Sequence, residues 1–361
     1  MTKLIPEGPE RAWLDVDLGA LVRNARRFQD LSRVPLLPMV KANAYGLGAA
    51  AVVRALESVE PWGYGVATAP EGAELRAQGV TRPVVVFTPL VPSAAATDAM
   101  RSHALRPVIG DPPALQAWTA SGGGPFHVEI DTGMSRSGFR WHDSAALSSL
   151  RTQLFARTDW EGVFTHFHSA ESDRASTIEQ LVRFRAVLDG FDQQPALVHV
   201  ANSAAAELPS HTGMDLARPG IFLYGGVAGA LEPEPVAKLC TRVVALRRLR
   251  PGDTVSYGAE AEVEAETTIA TLAIGYADGV PRALGGTGLV ELGDAVVPIV
   301  GRVTMDMLMV DVADTPVGIG DQATLFGGLV SLDQQAELAG TISYELLTRV
   351  TPRVERIYRD P

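Results

Sequence analysis

A parallel (β/α)8 barrel followed by a mostly β C-terminal domain is the architecture this sequence predicts, and three observations predict it. The 361-residue chain is 46% hydrophobic, enough to bury two ordinary cores, since domains run to roughly 100 to 250 residues. Between Trp13 and Tyr224 short apolar runs alternate with longer segments of helical period. Beyond LEPEPVAK the texture changes to β-rich runs separated by Gly, Pro and Asp.

The elements follow in order. LLPMV precedes the helical GAAAVVRALES, and YGVA precedes APEGAELRAQG; PVVVF, RPVI, FHVEI, EGVFTH and LVHVA then recur as strand-length runs. Strands alternating with helices imply parallel βαβ units. Six or more such runs fit a closed barrel better than an open doubly wound sheet, which is the alternative. The barrel is expected over residues 12–230. Pro233 and Pro235 mark the linker. In the second domain, residues 231–361, CTRVVALRRL, TTIATLAIGY, AVVPIVGRV, MLMVDV and QATLF predict antiparallel strands.

Charge and composition narrow the function. A formal charge of -11 and a pI near 5.2 argue against a nucleic-acid partner, which calls for a clustered basic face. The single cysteine, Cys240, excludes a disulfide within the chain and reads as a small buried hydrophobe. The opening MTKLIPEGPERAW has no apolar signal region, and nowhere do about 18 apolar residues run together, so a cytoplasmic protein with no membrane partner is expected. Of 31 basic side chains only Lys3, Lys41 and Lys238 are lysines. Arginine stays charged, whereas a desolvated lysine loses its proton and becomes a nucleophile. Lys3 falls in a frayed terminus and Lys238 in a connector. Lys41 alone ends an apolar run.

Catalytic groups of a barrel gather at the carboxyl ends of its strands. The residues following the apolar runs are Lys41 in KANAYGLG, Asp131 to Arg136 in DTGMSR, His166 after EGVFT, Asn202 and Ser203 after LVHVA, and Arg218 before PGIFLYG. Taken in order, VKANAYGLG, DTGMSRSGF, THF, ANSAA, ARPGIFLYG, SYGAE, IGYADGVPR, GRVTMD and TISYELLTR resemble the motifs of the alanine racemase family. Any one would be weak; nine in order, over nearly the whole chain, are specific.

The resemblance implies an enzyme that interconverts L-alanine and D-alanine with pyridoxal 5′-phosphate and no metal. It implies a head-to-tail homodimer with shared active sites, supplying D-alanine for peptidoglycan. On the matching positions, Lys41 carries the cofactor as an imine and, once freed, is one of two bases. Tyr45 donates to its phosphate, and Asn202, Ser203, Gly220 and Ile221 cradle that group; amide and hydroxyl donors at element ends suit an anion. Arg218 meets the pyridine nitrogen, and a guanidinium is reluctant to give up a proton. Tyr257 is the second base, entering from the other subunit, with His166 stacked on the ring and linked to Tyr257 and Arg218. A phenol with a reference pKa of about 10 must be tuned to serve near neutrality. Arg136 contacts the substrate carboxylate and the cofactor phenolic oxygen, and the Met305 N–H the substrate carboxylate; Tyr276 and Tyr344 narrow the mouth of the site, Tyr344 also lying near the phosphate, and Asp278 and Asp306 are further candidates.

The sequence departs from the family pattern in three places. Glu129 stands where many members carry a carbamylated lysine, and it is expected to pair with Arg136 in that lysine's stead; a carboxylate facing elsewhere is the alternative. Leu47 replaces a frequent histidine and Met307 a frequent glutamine. Racemases for serine or for broader substrates share the same motifs. A decarboxylase of similar architecture would use an acidic residue at the pyridine nitrogen and a cysteine near the dimer site, and a cofactor carrier would be a single barrel. Arg218 and the second domain speak against both.

Overall fold

The computed structural model describes residues 9, 11–155, 157–206, 208 and 214–360. The chain enters through the second domain, not the barrel. Strand β1 (Trp13–Asp17) pairs antiparallel with the long strand over Ala237–Leu249 and parallel with the strand over Glu355–Arg359, so the barrel begins later than residue 12. Asp17 ends β1 and caps the helix Leu18–Ser32 by accepting the Ala20 N–H at 2.8 Å. That helix buries Leu18, Leu21, Val22, Ala25 and Phe28, an apolar stripe at helical spacing, and stops at Arg33 in the left-handed region.

Six barrel strands form a continuous parallel ladder. They are β2 (Tyr64–Val66), β3 (Val84–Pro89), β4 (Arg106–Ile109), β5 (Phe126–Asp131), then, after the short β6 (Phe139–Arg140) at the edge of β5, β7 (Trp160–Phe164) and β8 (Leu197–His199). Isolated parallel bridges close the ring: Met39 to Gly65, Leu36 to Ala217, and His199 to Leu216. The expected strand LLPMV is therefore present only as bridges. Pro35 and Pro38 lack N–H donors, so the segment cannot build a regular ladder, although the Leu37 and Val40 amides still donate at 2.8 Å to Ala217 and Gly65. Near-continuous apolar strands buried on both faces are what a parallel barrel needs; Val84, Val85, Val86, Val108, Val128 and Ile130 are all at or below 1% exposure.

In the second domain, β9 (Ala237–Leu249) is the spine. The remaining strands are β10 (Thr254–Val255), β11 (Ala261–Glu262), β12 (Thr267–Leu272), β13 (Leu289–Leu292), β14 (Ala295–Val300), β15 (Leu308–Asp311), β16 (Gln322–Phe326) and β17 (Glu355–Arg359). All but β10 and β11, which pair with each other, join one sheet ordered β12–β15–β14–β13–β16–β9–β1–β17. Lys238 lies inside β9, 3.5 Å from Glu291, and is not in a connector. Cys240 on the same strand is buried, and burial pushes its thiol up to about 11, as an inert core cysteine requires. Among the described residues no helix is long and apolar enough to cross a membrane.

Candidate active site

Lys41 sits at the carboxyl end of segment 36–40 and opens an unusual turn. Ala42, Asn43, Ala44 and Tyr45 all have left-handed backbones, with φ between 52° and 56°. For residues with a Cβ this costs about 1–2 kcal/mol each, so the surroundings must hold it. Within the turn, Ala44 donates to Val40 O, Gly46 to Ala42 O and Gly48 to Asn43 O, each at 2.9 Å. The Asn43 side chain accepts the Ala49 N–H, and Glu71 accepts the Ala42 N–H, both at 2.8 Å. From β17 the Arg356 side chain donates to Gly46 O at 3.1 Å and the Tyr358 hydroxyl to Leu47 O at 2.9 Å. The second domain thus braces the loop that carries the lysine. The Lys41 amine has no hydrogen-bond or ion-pair partner among the described residues. Burial lowers its pKa, Arg136 lowers it further and Glu71 opposes them, which favours the neutral nucleophile.

Arg218 is buried, 3% exposed, with no carboxylate in contact among the described residues. Its terminal nitrogens donate to the carbonyls of His199 (2.8 Å), Thr165 (2.9 Å) and Val200 (3.2 Å), and Nη1 donates to His199 Nδ1 at 2.8 Å. A guanidinium only donates, so His199 must accept through Nδ1 and donate through Nε2. That proton goes to His127 Nδ1 at 2.8 Å, which leaves the His127 Nε2–H for Glu161 at 3.3 Å. Glu161 is in turn held by Arg106 at 3.0 Å. A single file of oriented protons therefore crosses the barrel from Glu161 to Arg218. Burial, only partly offset by Glu129, brings the Arg218 guanidinium down to about 9.

The other expected residues divide into two groups. Ser203 Oγ accepts the Gly220 N–H at 2.8 Å and the Phe222 N–H at 3.4 Å, while Asn202 caps its own short turn by accepting the Ala204 N–H at 3.1 Å. Ile221 is buried at the start of the following 3-10 turn. Tyr45 stacks on Tyr224 at 4.5 Å and lies 5.9 Å from the Tyr344 ring; burial raises the Tyr45 phenol and brings Tyr344 up to about 12. A Cβ on Gly220 would lie 2.4 Å from the Tyr45 hydroxyl, so only glycine leaves the hydroxyl beside those backbone amides. His166 is half-buried, and burial together with the cations of Arg218, Arg136 and Lys41 brings its imidazole down to about 3. Arg136 is exposed and has no carboxylate within ion-pair distance among the described residues.

Glu129 is buried but does not pair with Arg136. It accepts the Ser137 hydroxyl at 2.7 Å, and its carboxyl is pushed up by burial, with Arg136 and Arg218 acting only as nearby charges. Gly138, at φ 101°, packs directly against Glu129, where an added Cβ would lie 2.9 Å from the Glu129 carbonyl oxygen.

Of the second-domain candidates, Tyr344 reaches the Lys41 turn within one chain, beside Tyr45; the others are placed differently. Tyr257 is 73% exposed and makes no hydrogen bond among the described residues; Tyr276 and Met305 are exposed as well. Asp306 is engaged by Arg353 at 2.7 Å. Asp278 is buried and gripped by Arg11 through two 2.6 Å bonds, a structural carboxylate. Sequence reasoning missed His127, His199, Glu161, Glu71 and Tyr224. The one signal for the histidines was their presence inside the apolar strand runs FHVEI and LVHVA.

Comparison with known proteins identifies the family. The alanine racemase N-terminal domain matches residues 16–228 and the alanine racemase C-terminal domain residues 236–358. An alanine racemase from Deinococcus radiodurans is 38% identical over 355 residues, 96% of this chain and 98% of that one. The biosynthetic alanine racemase from Pseudomonas aeruginosa superposes with a TM-score of 0.88 at 34% identity, covering 97% of this chain and 100% of that one. An alanine racemase from Bartonella henselae with covalently bound pyridoxal phosphate gives 0.89 at 29% identity, covering 97% of this chain and 100% of that one. With both of its domains matched and full-length relatives above 30% identity, the chain belongs to the alanine racemase family.

Proposed function

We propose that this chain interconverts L-alanine and D-alanine with pyridoxal 5′-phosphate held covalently by Lys41, at a site completed by a second copy of the chain. The observation that carries the reading is the partly buried Lys41 amine at the barrel mouth near Arg136, neither of them paired with a carboxylate among the described residues. The donor set fits the cofactor. Gly220, Ser203 and the Tyr45 hydroxyl form a cradle that a single Cβ would fill, suited to a phosphate, and Asn202, Ile221 and Tyr344 border it. When bound, the cofactor supplies an electron sink conjugated to the substrate α-carbon.

Arg218 would meet the pyridine nitrogen with a guanidinium fixed by three carbonyls and His199, which limits how far the ring can accept a proton. His166, kept neutral by burial and the neighbouring cations, would lie beside it. Arg136 and the Met305 N–H would bind the substrate carboxylate, and Tyr276 and Tyr344 would restrict the mouth to a small side chain. Asp306, tied to Arg353, supports the Met305 loop. Inversion needs a proton removed from one face of the α-carbon and returned to the other, so Lys41 serves one face and Tyr257 the other. Tyr257 stands in solvent with Met305 and Met307 in one chain, as a residue destined for a partner's site would. Such an enzyme works in the cytoplasm, where D-alanine enters peptidoglycan synthesis.

Two outcomes test this. In Tyr257→Phe racemisation is expected to fall by about 10²–10⁴-fold, the usual worth of a positioned acid or base. Proton NMR in deuterium oxide should then show D-alanine still exchanging its α-proton while L-alanine does not; equal loss from both enantiomers would remove the two-base scheme. In Gly220→Ala the new Cβ displaces the Tyr45 hydroxyl. Titration of apo-protein with pyridoxal phosphate should show affinity weakened on the order of ten- to a hundredfold, the loss of one hydrogen bond to a charged group. An unchanged affinity would place the phosphate elsewhere.

A further inference from the structure

Glu71 lies outside every motif that marks the family resemblance, yet it touches the chain one residue from the lysine. Its carboxylate is shared between two barrel loops. Oε2 accepts the Ala67 and Thr68 N–H groups at 2.7 and 3.0 Å, the start of the helix Ala69–Ala77, where Thr68 and Glu71 form a capping box. A capping box needs no more than that. The second oxygen, Oε1, leaves its own helix and accepts the Ala42 N–H at 2.8 Å.

We propose that Glu71 is the positioning residue for Lys41: its carboxylate ties the peptide between Lys41 and Ala42 to the loop after β2 and thereby aims the amine. That peptide N–H is the first group of the left-handed turn. Holding it fixes the backbone angle at Lys41, from which the long side chain swings, and a small error there is multiplied at the amine. Asn43, Arg356 and Tyr358 hold later parts of the turn; Glu71 is the group that holds its beginning. Glu71 is also the anion that acts on the amine, against the cation of Arg136. The inference rests on Lys41 being the cofactor-bearing residue.

The test compares Glu71→Ala and Glu71→Gln with the wild type, as apo-protein. Hydrogen exchange at the Ala42 amide should accelerate about tenfold or more in Glu71→Ala, where the acceptor is lost, and also in Glu71→Gln, whose single amide oxygen stays with the Ala67 and Thr68 N–H groups and whose NH2 cannot accept from Ala42. Borohydride trapping with pyridoxal phosphate, located by peptide mass at Lys41, should proceed about tenfold more slowly in Glu71→Ala, because misplacement of a reacting group by about 1 Å costs up to 10²-fold. Affinity for pyridoxine 5′-phosphate, which has the ring and phosphate but no aldehyde, should stay within about twofold. Trapping and affinity falling together would reduce Glu71 to a support of the loop, and unchanged exchange at Ala42 would remove the clamp. If Glu71→Ala does not fold, Glu71→Gln decides by the same three readouts. A wild type that traps nothing at Lys41 would instead sink the cofactor assignment, while the exchange data still decide whether the clamp exists.

Discussion

Lys41→Ala is expected to leave a folded, inactive protein. Positioned acid–base catalysis is worth about 10²–10⁴-fold, and Lys41 combines that role with covalent attachment of the cofactor, so activity should fall by more than about 10⁴. Stability should hardly change. The amine has no hydrogen-bond or ion-pair partner among the described residues and resides in a partly desolvated place that disfavours its charge, so removing it belongs with substitutions that shift stability by about ±0.5 kcal/mol. Denaturant midpoints of the apo-proteins should coincide, whereas borohydride should reduce cofactor onto the wild type and onto no residue of the variant. Retained racemisation would move the chemistry away from Lys41.

The second large effect is on acid stability. His127, His166 and His199 are held neutral, each chiefly by burial; His166 lies near 3 and the other two below their ordinary value. Below about pH 6.5 the unfolded chain takes up protons at these positions and the folded chain does not, so stability is complete above that pH and is lost as the pH falls toward each folded value. Each histidine contributes about 1.4 kcal/mol per pH unit while the pH lies between its unfolded and folded values, so up to about 4 where the three windows overlap. Domains are stable by only about 5–15 kcal/mol, so a loss of this order is a large share of the total and should begin below about pH 6.5. Denaturant midpoints measured from pH 8 to 4 should fall steeply in the wild type. His199→Gln, though weaker at neutral pH, should lose about a third of the slope. An equal slope in both proteins would mean that the buried rings titrate freely.

Much of the candidate site was legible because its groups follow apolar runs, and a barrel places whatever follows its strands at one mouth. Lys41, Arg136, His166, Ser203 and Arg218 share that property. The histidine file was not legible: His127 and His199 are 72 positions apart and each sits inside an apolar run, where alternation does not reveal which face is the lumen. The left-handed turn was hidden for a different reason. Of Ala42, Asn43, Ala44 and Tyr45 only asparagine favours positive φ, and the turn is imposed by Glu71 and β17, far along the chain. Glu129 shows the limit of carrying one residue's role to another: its charge sits near Arg136, but the hydroxyl of Ser137 claims its oxygen. β1 has the same apolar texture as a barrel strand, and only pairing with β9 and β17 reveals its domain.

That pairing sets the order in which the molecule can be made. Asp15 and its partner Arg359 are 344 positions apart. During synthesis β1 must wait, unpaired on its β17 side, while the whole barrel and nearly all of the second domain leave the ribosome. β17 also brings Arg356 and Tyr358 to the loop that follows Lys41. A strand translated long after β1 is therefore the one that pairs with it and braces the loop following Lys41. A nascent chain stalled short of Glu355 would display a finished barrel whose lysine turn has not yet been set.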